Sequence, residues 1–337
     1  MRAMTIASYG GPEVFKLASD FPDPVPSAVP GKEEVLVRVA ATGVNRMDIL
    51  VRNGYPGLET PLPHICGADI AGTLLESGER IVVYPLLSCG NCSACRAGHT
   101  NLCLTWRSIG LHVKGGYAEF VAVPKGNVFP LPDSVTFQEA VSLPVAGLTA
   151  YHALRTVGSI RRGDTVFIWG GAGILGSMAL QIARDAGART IAAAGSDDRL
   201  DALRALGADV VVDRRTDDVL ARVANETDGG VDIVLDSVGG ATFERSLAML
   251  TNGGRLLACG ILGGRSAEIN IHLTYYHHRS VQGLFLGTKA DMAAVIRLVA
   301  ERRVVPLIDS VMPIWEAADA HRKLEAGLHR GKIVLAL

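Results

Sequence analysis

The sequence predicts an α/β protein in two parts: an antiparallel, barrel-like β domain and a doubly wound parallel sheet with right-handed crossovers. Three observations carry this expectation. The 337 residues, 48% of them hydrophobic, suffice for two ordinary cores. The texture changes once along the chain, from short alternating apolar runs to a repeating strand, turn and helix, and then changes back. A glycine-rich turn, GGAGILG, stands between the first strand of that repeat and its helix.

Up to about residue 125 the runs EEVLVRVAATGV, DIAGTLL, ERIVVYPL and YAEFVAVP are punctuated by Gly and Pro, which is how antiparallel strands read. From about 150 to 287, TVFIWGG leads to ILGSMALQIARDAG, then TIAAAGS, DRLDALRALG and DVVVD. VDIVLDSVGG, the helix-like TFERSLAML, GRLLACGIL and SVQGLFLG continue the alternation. The tail holds the amphipathic DMAAVIRLVAERRV, then EAADAHRKLEAG, and closes on KIVLAL, a strand that suggests a return to the first domain. The expected division is therefore 1–125 with 288–337 in the β domain, and 126–287 in the parallel-sheet domain.

Composition excludes several classes. Net charge is -1 and charged residues are scattered, so neither a nucleic-acid footprint nor a membrane-attracted face is expected. Aromatics, at 5%, are too few for base-stacking platforms. The first residues lack the apolar stretch of a signal peptide, and no apolar run approaches the roughly 20 residues that cross a bilayer. A soluble, cytoplasmic protein with reduced thiols is expected.

Four of the six cysteines, Cys89, Cys92, Cys95 and Cys103, fall within fifteen residues spaced C-x2-C-x2-C-x7-C. A chain able to build large cores does not need disulfide staples. Four thiolates close the tetrahedral shell of zinc and leave no position for substrate, so one structural Zn2+ per chain is expected, with unliganded thiols as the competing reading. In GGAGILG, Gly171, Gly173 and Gly176 satisfy G-x-G-x-x-G, and Gly171, Ala172, Gly173, Ile174, Leu175 and Gly176 form the expected dinucleotide loop. Such a loop needs a tight turn, a backbone that approaches a pyrophosphate, and a helix packed on a strand with no Cβ between. An NAD site usually has an acid at the end of the next strand, where this chain has Ala194. Ser196, Arg199 and Arg214 offer a hydroxyl and two guanidinium groups to a 2′-phosphate, so NADPH is expected. Asp197 and Asp198 read as the acidic first turn of the following helix.

GVNRMD, GADIAG, the cysteine lobe, GGYAEFVAVP, LPVAGLTAYHAL, GGAGILG, VLDSVGG and GKIVL together resemble the medium-chain dehydrogenase/reductase superfamily of zinc alcohol dehydrogenases and quinone oxidoreductases. The resemblance spans nearly the whole chain. It implies a GroES-like β domain, a Rossmann domain and a cofactor cleft between them, and it adds Gly260 and Lys332 to the cofactor-binding set. It also implies dimers joined through the edge strand near SVQGLFLG, or tetramers. In zinc alcohol dehydrogenases the catalytic ligands are a Cys where this chain has Asn45, and a His in a motif that here reads Gly67-Ala68-Asp69. The third ligand falls in LPVAGLT, which offers none. Cys66 and His64 are offset from the ligand position, and Cys66 reads as a buried thiol. Cys259 reads as packing. No catalytic zinc is expected, so hydride is more readily delivered to a conjugated acceptor (quinone, enone or enoyl type) whose oxygen a few donors can hold.

Asn45 should border the nicotinamide, Thr149 should face the cofactor, and Tyr55 or Arg52 should donate to the acceptor oxygen, with Tyr84 a weaker candidate. Quinone-reductase relatives often carry Tyr where this chain has Leu50, so no general acid can be named. The expected function is an NADPH-dependent reductase of conjugated carbonyl compounds. A zinc alcohol dehydrogenase with an unconventional metal site is one alternative, and a non-catalytic NADPH-binding sensor or structural protein is another.

Overall fold

The computed structural model describes every residue except 30–32, 56, 58 and 59. It divides into two units: Met1–Val145 with Thr288–Glu301 and Pro306–Leu337, and Ala146–Gly287 with Arg302–Val305. The first unit thus continues past residue 125, because Val128–Pro130 pairs with Arg80–Val83 and so belongs to the β domain's sheet. Among the described residues, no helix is long and apolar enough to cross a membrane.

The sheet of the first unit runs in the order Ile308–Pro313, Lys332–Ala336, Glu34–Gly43, Asp69–Leu74, Arg80–Val83, Val128–Pro130, with Phe120–Pro124 pairing antiparallel to Glu34–Gly43. Only the pair Ile308–Pro313 and Lys332–Ala336 is parallel. Alternation explains the long central strand: Val37, Val39 and Ala41 are buried, and the first two pack with Ile70, Ile81, Val83 and Val121. A second core gathers Ile6, Phe15, Ile49, Val51, Tyr117, Leu324 and Ile333 under the helices Arg46–Asn53 and Ala317–Glu325. Two registers matter for function. Val334 opposite Gly43, and Gly43 opposite Asp69, bring the returning C-terminal strand beside the two strand ends that carry Asn45 and Asp69.

The second unit is a six-stranded, wholly parallel sheet in the order Val210–Asp213, Arg189–Ala194, Thr165–Ile168, Val231–Asp236, Leu250–Ala258, Ser280–Gly283. The order reverses beside Thr165–Ile168, the point at which doubly wound sheets bind ligands. These strands read as nearly continuous apolar runs because helices cover both faces. Helix Ile174–Asp185 buries Met178, Ala179, Leu180, Ile182 and Ala183 against the sheet. At the end of Val231–Asp236, the fully buried Asp236 accepts from Val238 N, Gly239 N, Thr242 Oγ1 and Ser246 Oγ, and Ser246 in turn accepts from Trp169 Nε1 at 2.8 Å. This fixes the VLDSVGG turn.

Candidate functional site

The cysteine lobe is built locally. Cys92 caps the short helix Ser93–Arg96, and Gly90 and Gly98 take left-handed turns on either side of it. The four Sγ atoms lie within 4.8 Å of one another, with Cys89 and Cys95 at 3.9 Å. A zinc tetrahedron with bonds of about 2.3 Å puts its sulfurs about 3.8 Å apart, so the set fits that ion. The Cys89 amide donates to Cys103 Sγ at 3.4 Å, support suited to a thiolate. Tyr84 lies beside this lobe: it is fully buried and shares a hydrogen bond with Thr100 Oγ1 at 3.1 Å. Burial pushes its phenol up to about 12.

The dinucleotide loop shows why each glycine is there. Gly170 sits at φ 62, in the left-handed region. A Cβ on Gly171 would come within 2.9 Å of Leu203, and one on Gly176 within 2.4 Å of the Gly170 carbonyl. Gly173 caps helix Ile174–Asp185 from an extended conformation, Ala172 is buried, and Ile174 and Leu175 form the first turn. The helix start therefore presents free amides in the geometry an anion takes. Gly260 packs its backbone on Ser237 so closely that a Cβ would lie 1.8 Å from Ser237 O.

Ala194 ends its strand 4% exposed. Arg214 follows the neighbouring strand, donates its backbone N–H to Ala194 O at 3.0 Å, and lays its guanidinium along Gly195, where a Cβ would come within 2.6 Å of Arg214 Nε. Ser196 caps helix Asp197–Ala205, so Asp197 and Asp198 do form its first turn and Arg199 lies one step further along it. Sequence reasoning missed Arg215, which pairs with both Asp197 and Asp213 and so offsets the acids beside this strand end. That bond holds the Asp213 carboxyl down to about 2.

In the first unit, Asn45, Asp69 and Lys332 form one buried cluster. Asn45 Nδ2 donates to Asp69 Oδ2 at 2.7 Å, Lys332 Nζ donates to Asn45 Oδ1 at 2.8 Å, and Lys332 and Asp69 form an ion pair. The second Asp69 oxygen accepts from Val145 N at 2.9 Å. Gly43 is what makes room, since a Cβ there would come within 2.2 Å of Lys332 Cε. Lys332 was expected to bind cofactor. It is 0% exposed with its ammonium committed to Asp69 and Asn45, and a lysine so buried needs such partners.

Arg52 departs from expectation in the same way. Burial of its whole side chain turns it toward helix Ala317–Glu325, where it bonds Glu325 and His321 Nδ1, with further bonds to Asn53 Oδ1 and Gly10 O. Its guanidinium is thus engaged by these partners. Because arginine only donates, His321 Nδ1 accepts from it and Nε2 carries the proton toward Tyr117 Oη, 3.1 Å away. Nearby, the fully buried Asp48 carboxyl accepts from Asn45 N at 2.8 Å and Gly67 N at 3.2 Å. Desolvation pushes Asp48 up to about 7 and His321 down to about 3.

Of the remaining expected residues, Tyr55 is half-buried after the left-handed Gly54, and Thr149 is buried in the helical turn Leu148–Tyr151 of the second unit. Ala68 is buried. His64 spends Nε2 on the Gly110 carbonyl at 3.0 Å, and Cys66 is fully enclosed, so both are core residues. Cys259, half-buried behind Asp236, has its thiol pushed up to about 12 by desolvation.

Residues 31–133 match the family model of the alcohol dehydrogenase GroES-like domain, and residues 175–301 that of the zinc-binding dehydrogenase. The chain is 30% identical to the quinone oxidoreductase of Rattus norvegicus, covering all of this chain and 98% of that one. It is 31% identical to an alcohol dehydrogenase of Geobacillus stearothermophilus, over 90% of this chain and 91% of the other. A solved structure of an NAD-dependent alcohol dehydrogenase superposes with a TM-score of 0.93 at 35% identity, over the full length of both chains. The crotonyl-CoA carboxylase/reductase AntE, solved with NADP, superposes at 0.90 with 25% identity, over all of this chain and 95% of that one.

Proposed function

This chain belongs to the medium-chain dehydrogenase/reductase superfamily, and from that premise we propose that it is an NADPH-dependent reductase of conjugated carbonyl compounds. One observation carries the reading. Where zinc alcohol dehydrogenases have Cys and His ligands, this chain has Asn45, its amide committed to Asp69 and Lys332, and Ala68, which has no lone pair to give. Direct carbonyl–carbinol exchange relies on a Lewis acid at the oxygen, whereas a quinone, enone or enoyl thioester spreads the arriving charge and needs only hydrogen-bond donors. The quinone oxidoreductases among its relatives agree with this choice.

The cofactor, when bound, supplies the hydride. The chain's part is to hold it: the glycine loop leaves room for a pyrophosphate, and Arg214 lies along Gly195 with Ser196 and Arg199 on the adjoining helix turn. One structural neighbour is NAD-dependent and another was solved with NADP, so the preference for NADPH rests on Ala194 and these side chains. Asn45 is the residue assigned to the acceptor. The four cysteines would hold one structural zinc, away from the chemistry. A dimer through the edge strand Ser280–Gly283 belongs with this reading, since Leu273, Tyr276, Val281 and Phe285 are exposed there.

The test is loss of NADPH absorbance against quinones, enones and enoyl thioesters, with simple aldehydes as a control, alongside metal analysis. Turnover of the conjugated acceptors with about one zinc per chain supports the reading. Aldehyde turnover with two zinc ions per chain would return the protein to the alcohol dehydrogenases, and tight NADPH binding without any turnover would make it non-catalytic.

A further inference from the structure

We propose that Lys332 is a positioning residue that locks the Asn45 amide and so presents one of its N–H bonds as a fixed donor to the acceptor oxygen. The proposal rests on the reading that a carbonyl acceptor is reduced beside Asn45. Lysine can only donate and an ionised carboxylate can only accept. With Lys332 Nζ 2.8 Å from Asn45 Oδ1 and Asp69 Oδ2 2.7 Å from Asn45 Nδ2, one amide orientation satisfies both. A half-turn of the amide would set its NH2 against the ammonium and its oxygen against the carboxylate.

The second Nδ2 hydrogen has no acceptor among the described residues. Asn45 is also the member of the cluster that keeps some exposure, 8%, against 0% for Lys332 and Asp69. The buried ion pair therefore opens outward through this amide. An ammonium on Oδ1 draws electron density from the group and strengthens the remaining donor. The backbone is held as firmly, because Asp48 Oδ2 accepts from Asn45 N. A donor fixed before charge develops on the acceptor oxygen needs no reorganisation during the reaction, which is the arrangement that stabilises an oxyanion.

Lys332→Met alone would strand the Asp69 carboxylate, so the pair is neutralised together as Asp69→Asn with Lys332→Met. In the folded double variant, kcat should fall about tenfold or more. The NADPH dissociation constant should stay within about twofold. Asn45→Ala should cause a similar loss, and adding it to the double variant should cost nothing further. The carbonyl stretch of a quinone bound to the NADP+ complex should be lowered in the wild type and relax toward its free value in both variants. Losses that multiply, or a double variant with wild-type kcat and stretch, overturn the proposal. Should the double variant not fold, Asn45→Ala, which leaves the ion pair intact, carries the test, and an unchanged stretch there overturns it. A stretch that responds as expected in a protein that turns over no conjugated acceptor leaves the lock standing and removes the function assigned above.

Discussion

The cysteine lobe and the Asn45 cluster are both polar centres of the same β domain, assembled in opposite ways. The lobe draws its four sulfurs from fifteen consecutive residues, shaped by two left-handed glycines and a short helix. The cluster draws on residues 45, 69 and 332, which meet only because the last strand pairs beside the first long one. The lobe reaches the surface, whereas Lys332 and Asp69 lie at 0% exposure. The comparison teaches that a metal loop can be lost locally, while a buried ion pair is tied to the whole fold.

The largest expected effect follows from breaking the buried pair. Lys332→Ala leaves an unpaired carboxylate in the core and should cost about 3–5 kcal/mol in urea unfolding, whereas the neutral Asp69→Asn, Lys332→Met pair should cost far less. Equal losses for both would show that shape, not charge, governs the site. Cys89→Ser should come next: zinc is lost and the melting midpoint drops, yet the surviving folded protein keeps its kcat. A folded, zinc-replete Cys89→Ser protein with no activity would move the lobe into the reaction.

Cofactor choice supplies a smaller effect at the surface. Arg199→Ala with Arg214→Ala should weaken NADPH binding by about tenfold, or about 1.4 kcal/mol, and leave NADH nearly unchanged. Ala194→Asp should do the reverse, and equal weakening of both cofactors would refute this use of the strand end.

The smallest effect is in the pH dependence of stability. His321, lowered to about 3, binds fewer protons folded than unfolded, so its contribution is present above its ordinary value and is lost as pH falls from about 6.5 toward 3. Asp48, raised to about 7, binds more protons folded, so its contribution falls as pH rises from about 4 to 7. The two slopes oppose between about pH 4 and 6.5 and nearly cancel. His321→Gln keeps a donor for Tyr117 and an acceptor for Arg52, and should unmask a loss of stability on raising pH through that window. Chemical denaturation at several pH values reads it, and an unchanged flat profile would disprove the linkage.

Much of this was legible before any coordinates. Both sheets followed from runs of two periodicities, and the glycine loop and cysteine lobe declared themselves by spacing within a dozen or so residues. What the sequence does not show is the surroundings of residues whose partners are distant along the chain. Arg52 looked available for substrate because nothing nearby in sequence reveals Glu325 or His321. Lys332 looked like a cofactor ligand because its partners lie more than 250 residues away. Arg215 went unremarked beside Arg214, although only the first reaches Asp197.

By itself the sequence determined what local chemistry can specify: strand and helix periods, turns that only glycine permits, and ligands close enough to share one metal. Each of those is set by residues a few positions apart, where the chain has little freedom to separate them. The tertiary structure alone decided which charges are buried together and which face of a side chain is spent. Opposite charges attract wherever water is excluded, and which ones meet there is fixed by the pairing of Val334 with Gly43 and of Gly43 with Asp69.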